Sequence, residues 1–190
     1  MNTRKLILIV IVLLVVGFGV VYLTKNYETS IRPNFSQAKM DEVKNRNEAL
    51  FNELMTNFDK YKEQIKENPE NIGAWTELGV IADTFGDDAL AEHAYSKVIE
   101  LDPSVFLVRH NLAVLYIRQN KFAEAEAQYK AILNNNPADI QTHESLARLY
   151  ASGKIGSIED AKRILDAGIK QTNDPGLTDL RARLERGETL

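Results

Sequence analysis

Three histidines are the side chains in this chain best suited to metal binding or to acid–base chemistry. His93, His110 and His143 are not accompanied by an HExxH or HxxxH spacing or by a nearby carboxylate pattern, which a histidine metal site would need. No cysteine is present, so disulfides, thiolate zinc sites and cysteine nucleophiles are excluded. The sequence therefore predicts no metal site.

The remaining candidates for chemistry are a glycine pair and several acidic pairs. Residues 153–156 contain two glycines and a lysine but lack the GxxxxGK[ST] frame of a phosphate-binding loop. The pairs Asp87-Asp88 and Glu159-Asp160 precede apolar helical patterns, where they offset the helix dipole. Since no nucleophile–base pair stands out, we predict that the protein is not an enzyme and that it has no catalytic or cofactor-binding residues.

Length, composition and charge indicate the size of the folded part and the kind of partner. The chain has 190 residues, with 44% hydrophobic and 26% charged residues, which is typical of one globular domain with an appendage. The net charge is −4; residues 1–35 carry +3 and the rest −7. An acidic body without a basic stripe argues against nucleic acid as a partner.

An uncharged apolar run occupies residues 6–23, after a short tail at residues 1–5. As a helix it would span about 27 Å, close to the hydrocarbon thickness of a bilayer. The alternative is a cleaved signal peptide, whose apolar region is shorter and ends at a small-x-small site. The length of the run favours an uncleaved transmembrane anchor.

Charges beside the run predict its orientation. Arg4 and Lys5 precede it, whereas Lys25 and Arg32 follow it and are offset by Glu28. By the positive-inside rule we expect a single-pass protein with a cytoplasmic N-terminus and an extracytoplasmic body.

A polar stretch and a long helical pattern follow the run. Residues 24–35 indicate an exposed linker, and Ser36 could cap the next helix. Residues 36–70 have apolar positions at helical spacing. They predict a long helix or helix pair that packs as a degenerate first repeat; a coiled-coil or partner-binding helix is the alternative.

The rest of the chain repeats itself. Residues 72–105 and 106–139 share a 34-residue period, residues 140–175 continue it with two extra residues, and residues 176–190 predict a capping helix and tail. Each unit reads as two amphipathic helices with small residues, such as Gly79 and Ala91, where the helices meet. Two helices cannot bury their apolar faces alone, so the pattern predicts a stack.

The repeats resemble the tetratricopeptide repeat (TPR) family. The resemblance rests on Trp75, Leu78, Gly79, Ala91, Tyr95 and Pro103, and on Leu112, Ala113, Tyr116, Ala125, Tyr129 and Pro137. It implies an all-α fold, a right-handed superhelical stack of helix-turn-helix repeats, which here would follow an N-terminal transmembrane helix.

The resemblance also implies where a partner binds. TPR stacks bind peptides on a concave surface formed by the first helix of each repeat, which we call the inner face. Carried onto this sequence, the inner face consists of Thr76, Glu77, Val80, Asp83, Leu107, His110, Asn111, Val114, Ile117, Arg118, Gln141, Glu144, Ser145 and Arg148. Asn111 would bond a peptide backbone, and Arg118 or Arg148 a carboxylate. All three could equally be ordinary solvated surface.

One TPR subclass grips a C-terminal carboxylate with a Lys/Asn/Lys/Arg set. Only Asn111 matches here, because Thr76 and Leu107 occupy the lysine positions, so we do not predict chaperone-tail binding.

The predicted function is a membrane-tethered scaffold that binds a protein or peptide partner, in the assembly of a membrane or envelope complex. The alternative is a structural membrane protein that forms a homo-oligomer through the helix at 36–67. A third reading is an accessory subunit of an enzyme.

Overall fold

The computed structural model describes residues 31–190, which form nine α-helices and no strand. The all-α, TPR-like prediction is confirmed for this part of the chain. The helices are α1 (Gln37–Arg46), α2 (Glu48–Glu67), α3 (Ile72–Thr84), α4 (Asp88–Leu101), α5 (Phe106–Arg118), α6 (Phe122–Asn135), α7 (Ile140–Ala151), α8 (Ile158–Thr172) and α9 (Pro175–Glu185).

Three helix hairpins, α3–α4, α5–α6 and α7–α8, make up the repeated units. Polar N-caps define several of the helix starts: Asn71 accepts from the Ala74 N–H at 3.0 Å, and Asp139 accepts from the Thr142 N–H at 2.8 Å. These bonds satisfy amide groups that the first turn of a helix leaves unpaired.

The turn inside each hairpin contains a residue in the left-handed region. Gly86 has φ +74°, Asn120 has φ +60° and Gly153 has φ +71°. Glycine adopts this conformation without steric cost, and asparagine is among the few other residues that tolerate it. The second repeat therefore makes the same turn as the first without a glycine.

Small residues at the hairpin contacts allow the two helices to approach closely. A Cβ atom placed on Gly79 would lie 2.6 Å from Cε1 of Tyr95, and one on Gly168 would lie 2.7 Å from Cγ of His143. Both distances are well below van der Waals contact. The glycines therefore make room for the large side chains of the partner helix.

The stretch at 36–70, predicted as a long helix or a helix pair, divides at Asn47 into the two helices α1 and α2. The Asn47 side chain accepts from the Leu50 N–H at 3.0 Å and caps α2. Ser36, at the start of α1, makes no side-chain cap bond. Helix α2 packs on α3 and buries Phe58 and Ile65 in the core.

The stretch predicted as an exposed linker differs from expectation at its C-terminal end. Residues 31–36, which we call the strap, lie against the stack. Ile31 is only 5% exposed, and the Phe35 ring lies 5.0 Å, centroid to centroid, from the rings of both Phe58 and Phe85. The burial of Ile31 and the partial burial of Phe35 remove apolar surface from water and favour this docked position.

The predicted anchor at residues 6–23 lies outside the described residues. Within residues 31–190, no helix is both long enough and apolar enough to cross a bilayer.

Candidate functional site

The first helices of the three repeats, α3, α5 and α7, carry the predicted inner-face residues. Side chains connect these helices from repeat to repeat. Arg118 on α5 reaches Asp83 on α3, and Nε2 of His110 on α5 lies 3.2 Å from Oγ of Ser145 on α7. The structure therefore brings predicted residues of successive repeats together on one surface.

The end of this surface nearest the first repeat is acidic. Arg118 donates to Oδ1 of Asp83 at 2.5 Å and to Oδ1 of Asp88 at 2.7 Å. One guanidinium thus balances two carboxylates, and Glu77 adds a further exposed carboxylate. Because Arg118 is already paired, binding a carboxylate from a partner would require it to exchange these bonds.

The centre of the surface is apolar and open to solvent. Leu107 is 67% exposed and Val114 is 43% exposed, and their spacing of seven residues places both on one side of α5. Val80 and Ile117 are half-buried. Leu107 is the most exposed of the large hydrophobic side chains in residues 31–190, so this stripe is the part of the surface with most to gain from burial.

Polar residues beside the stripe are bonded between helices. The side chains of Asn111 and Ser145 lie near the hydroxyls of Tyr95 and Tyr129, respectively, and each partly lowers the pKa of that tyrosine. Burial is the main cause that raises the pKa of both tyrosines. Ser145 therefore joins the second and third repeats at the edge of the stripe through its contact with His110.

His110 lies beside the ring of Tyr129, with centroids 5.4 Å apart. Burial lowers the pKa of His110, and the Asp139 carboxylate opposes this effect. Burial thus disfavours the charged form of this imidazole.

The far end of the surface is polar and nearly balanced in charge. Arg148 donates to Oε1 of Glu144 through Nε at 3.0 Å and Nη2 at 2.7 Å, and Gln141 is exposed.

At the first repeat, Thr76 is half-buried, and its hydroxyl donates to the carbonyl of Ile72 in its own helix. Thr76 therefore contributes little to a partner.

Two contacts that the sequence analysis missed recur with the repeat. The Tyr116 hydroxyl donates to Glu92 at 3.2 Å, and the Tyr150 hydroxyl donates to Glu126. Both members of the second pair lie 34 residues after those of the first. The sequence does repeat both residues of the pair after 34 positions. Only the tertiary structure shows that the tyrosine and the glutamate of each pair are in contact.

No group of three or more His, Asp or Glu residues in the described part of the chain is arranged to hold a metal ion. A cavity of about 380 Å³ lies between α7, the start of α8 and the C-terminal tail, with Arg148, Ile158 and Leu190 among its lining residues. The hydroxyl of Ser152 in its lining donates to the carbonyl of Leu149 at 2.6 Å.

Part of the chain matches the model of a known protein family. Residues 84–149 match the tetratricopeptide repeat model. These residues cover α4 to most of α7, where the 34-residue period is found. The match and the structural neighbours support the TPR family.

One protein of similar sequence is named for both a tetratricopeptide repeat and a J domain. The chain is 29% identical over 103 residues to the tetratricopeptide repeat and J domain-containing co-chaperone DNJ1 of Cryptococcus neoformans. The aligned part covers 54% of this chain but only 19% of that protein.

Solved TPR structures share the fold. A tetratricopeptide repeat protein from Parabacteroides merdae superposes with a TM-score of 0.63 at 18% identity, covering 79% of this chain and 61% of that one. MamA 41-end from Desulfovibrio magneticus superposes with a TM-score of 0.58 at 14% identity, covering 78% and 85%. At these identities the likeness establishes the TPR-like fold.

Proposed function

We propose that this protein is a membrane-tethered interaction module that recruits a protein partner through the inner face of its TPR stack. The observation that carries the proposal is the exposed apolar stripe of Leu107 and Val114 at the centre of that face. Solenoid proteins use such extended concave surfaces for binding. The protein acts by binding alone, and it positions its partner at a membrane or in an envelope complex.

The chemistry of the face favours one kind of partner segment. An apolar side chain would cover Leu107 and Val114, and a basic side chain would meet the acidic end at Glu77, Asp83 and Asp88. Such a segment could be extended or helical, since both kinds of peptide fit grooves between helices. Charge complementarity of this kind contributes mainly to specificity and to the rate of association.

Tethering is proposed from residues 6–23, whose length and lack of charge suit a bilayer. The positive-inside rule places the repeats outside the cytoplasm. Because the chain has no cysteine, single cysteines at Thr3 and at the exposed Lys170 can report orientation. A membrane-impermeant maleimide should label Lys170→Cys from outside intact cells and should leave Thr3→Cys unlabelled. The reverse pattern would contradict the proposed orientation.

The binding proposal is tested by pull-down with the full chain, solubilised in mild detergent from its native membranes. The test variant is Leu107→Asp with Val114→Asp, which places charge on the stripe without touching the ion pairs around it. The control variant is Leu50→Asp with Ile158→Asp, because these side chains are each 42% exposed but lie on α2 and α8.

We expect a partner to be retained by the parent and by the control variant and lost by the stripe variant. If the control variant also loses the partner, or if the parent and both variants retain it equally, the partner binds elsewhere and the inner face is refuted as the site. Capture of the chain alone would favour self-association.

A further inference from the structure

The strap fixes where the chain leaves the folded body. Its backbone is bonded at two points: the Asn34 N–H donates to Oδ2 of Asp87 at 2.5 Å, and the Ser36 N–H donates to the carbonyl of Phe85 at 2.9 Å. Both acceptors belong to the turn between α3 and α4. The strap is therefore held against one particular turn of the first hairpin.

Asp87 performs two tasks with its two oxygens. Oδ1 caps α4 by accepting from the Leu90 N–H at 3.1 Å, whereas Oδ2 accepts from Asn34. The side chain is only 5% exposed. A buried carboxylate oxygen without a hydrogen-bond partner would destabilise the fold. The Asn34 N–H supplies a partner for Oδ2, so this bond stabilises the docked strap.

The turns inside the hairpins lie along one edge of the stack, which we call the turn edge (residues 85–87, 119–121 and 152–157). Contacts near the first two turns show that they are neighbours: Arg118 bonds Asp88 at 2.7 Å, and Nζ of Lys121 lies 3.0 Å from Oε2 of Glu92. The strap is thus docked at the turn edge.

The position of the strap limits the reach of the proposed tether. Residues 24–30 alone separate Ile31 from the apolar run, and seven residues extend over about 25 Å at most. The root-mean-square end-to-end distance of any flexible seven-residue chain is roughly 15 Å, which is less than the length of about 20 Å of a 13-residue helix such as α3.

We propose that the docked strap orients the TPR stack on the bilayer, with the turn edge toward the lipid and the opposite ends of the helices away from it. This inference rests on the proposed membrane tether. It assigns the turn edge as the membrane-facing surface of the body, and it gives the strap the role of a rigid spacer between anchor and repeats.

The test uses two reporter positions on one helix. Ala123 and Asn134 are both exposed and lie near opposite ends of α6, about 16 Å apart along its axis. Each is replaced by cysteine in the otherwise cysteine-free full chain and labelled with a donor dye. The protein is then reconstituted in phosphatidylcholine vesicles that contain an acceptor-labelled lipid, and binding is checked by flotation.

We expect higher energy transfer from Ala123→Cys than from Asn134→Cys. Asp87→Ser retains a helix cap but removes the acceptor of Asn34, and combined with Ile31→Ser it should reduce the difference. Asp174→Ser is the matched control, since Asp174 caps α9 through the Leu177 N–H at 2.9 Å and should leave the difference unchanged. Faster hydrogen exchange at Asn34 in the Asp87 variant would report release of the strap.

The outcomes separate the two proposals. A chain that does not float with the vesicles refutes the tether, and the orientation falls with it. A chain that floats but shows equal transfer from both positions, or a difference that survives strap release, refutes the orientation and leaves the tether standing.

Discussion

Arg118 and Asp83 form an ion pair across the boundary between the first two repeats, with Nη2 of the arginine 2.5 Å from Oδ1 of the aspartate. The same guanidinium reaches Asp88 on the next helix. Arg118 therefore joins three helices at the acidic end of the inner face. Its side chain is 46% exposed, and that of Asp83 is 25% exposed.

Replacing Arg118 by methionine should lower the free energy of unfolding by about 0.5–1 kcal/mol, because partly exposed ion pairs contribute little. Urea denaturation of the detergent-solubilised chain measures the change. The loss should shrink in concentrated salt, which screens the pair. Asp83→Asn in the Arg118→Met background should add little, and full additivity would show that the two side chains are not coupled.

Gly79→Ala should destabilise the protein by about 1–3 kcal/mol, the usual range for overpacking. The added Cβ would lie 2.6 Å from the Tyr95 ring. Gly73→Ala on the same helix is the control: its nearest neighbour would be Oδ1 of Asn71 at 3.5 Å, so it should be neutral or stabilise by up to about 1 kcal/mol. Equal effects of the two substitutions on the urea midpoint would contradict the close-packing argument.

The left-handed turn at Asn120 predicts opposite effects for two small residues. Asn120→Gly should be neutral or stabilising, whereas Asn120→Ala should cost about 1–2 kcal/mol, because alanine pays the full steric penalty at φ +60°. Thermal unfolding of both variants measures this order. A less stable glycine variant would mean that the asparagine side chain itself supports the turn.

The half-buried position of His110 predicts a pH dependence of stability. Burial lowers its pKa in the folded state, so the unfolded chain binds more protons near the unfolded pKa of about 6.5, and stability falls as pH drops through that value. His110→Gln should lose less stability than the parent between pH 7.5 and about 5.5. Urea midpoints across this range test it; parallel curves for both proteins would rule out this contribution.

The repeats themselves were predictable because their signal is local and periodic. Leu78, Gly79 and Tyr95 are followed after 34 residues by Leu112, the similarly small Ala113 and Tyr129. Helix contacts between neighbouring repeats follow directly from that period. The family resemblance, and not the period itself, implied that Leu107 and Val114 are inner-face positions. Their exposure follows from helical geometry once the buried side of α5 is known.

Other features depend on contacts between distant residues and carry no periodic signal. Nothing in the stretch at 36–70 marks Asn47 as a break, since it contains no internal glycine and no proline before Pro69. The pairing of Arg118 with Asp83 depends on how two helices 35 residues apart in sequence are placed.

Sequence alone determined the repeat period, the helical class and the apolar positions of the stack, because each follows from the spacing of residue types along a helix. Only the tertiary structure decided that Ile31 is buried, that Phe35 is partly buried and that Asp87 holds the strap. Two apolar residues in a polar stretch become part of a core only where another element offers a surface to cover, and that surface exists only once the repeats are packed.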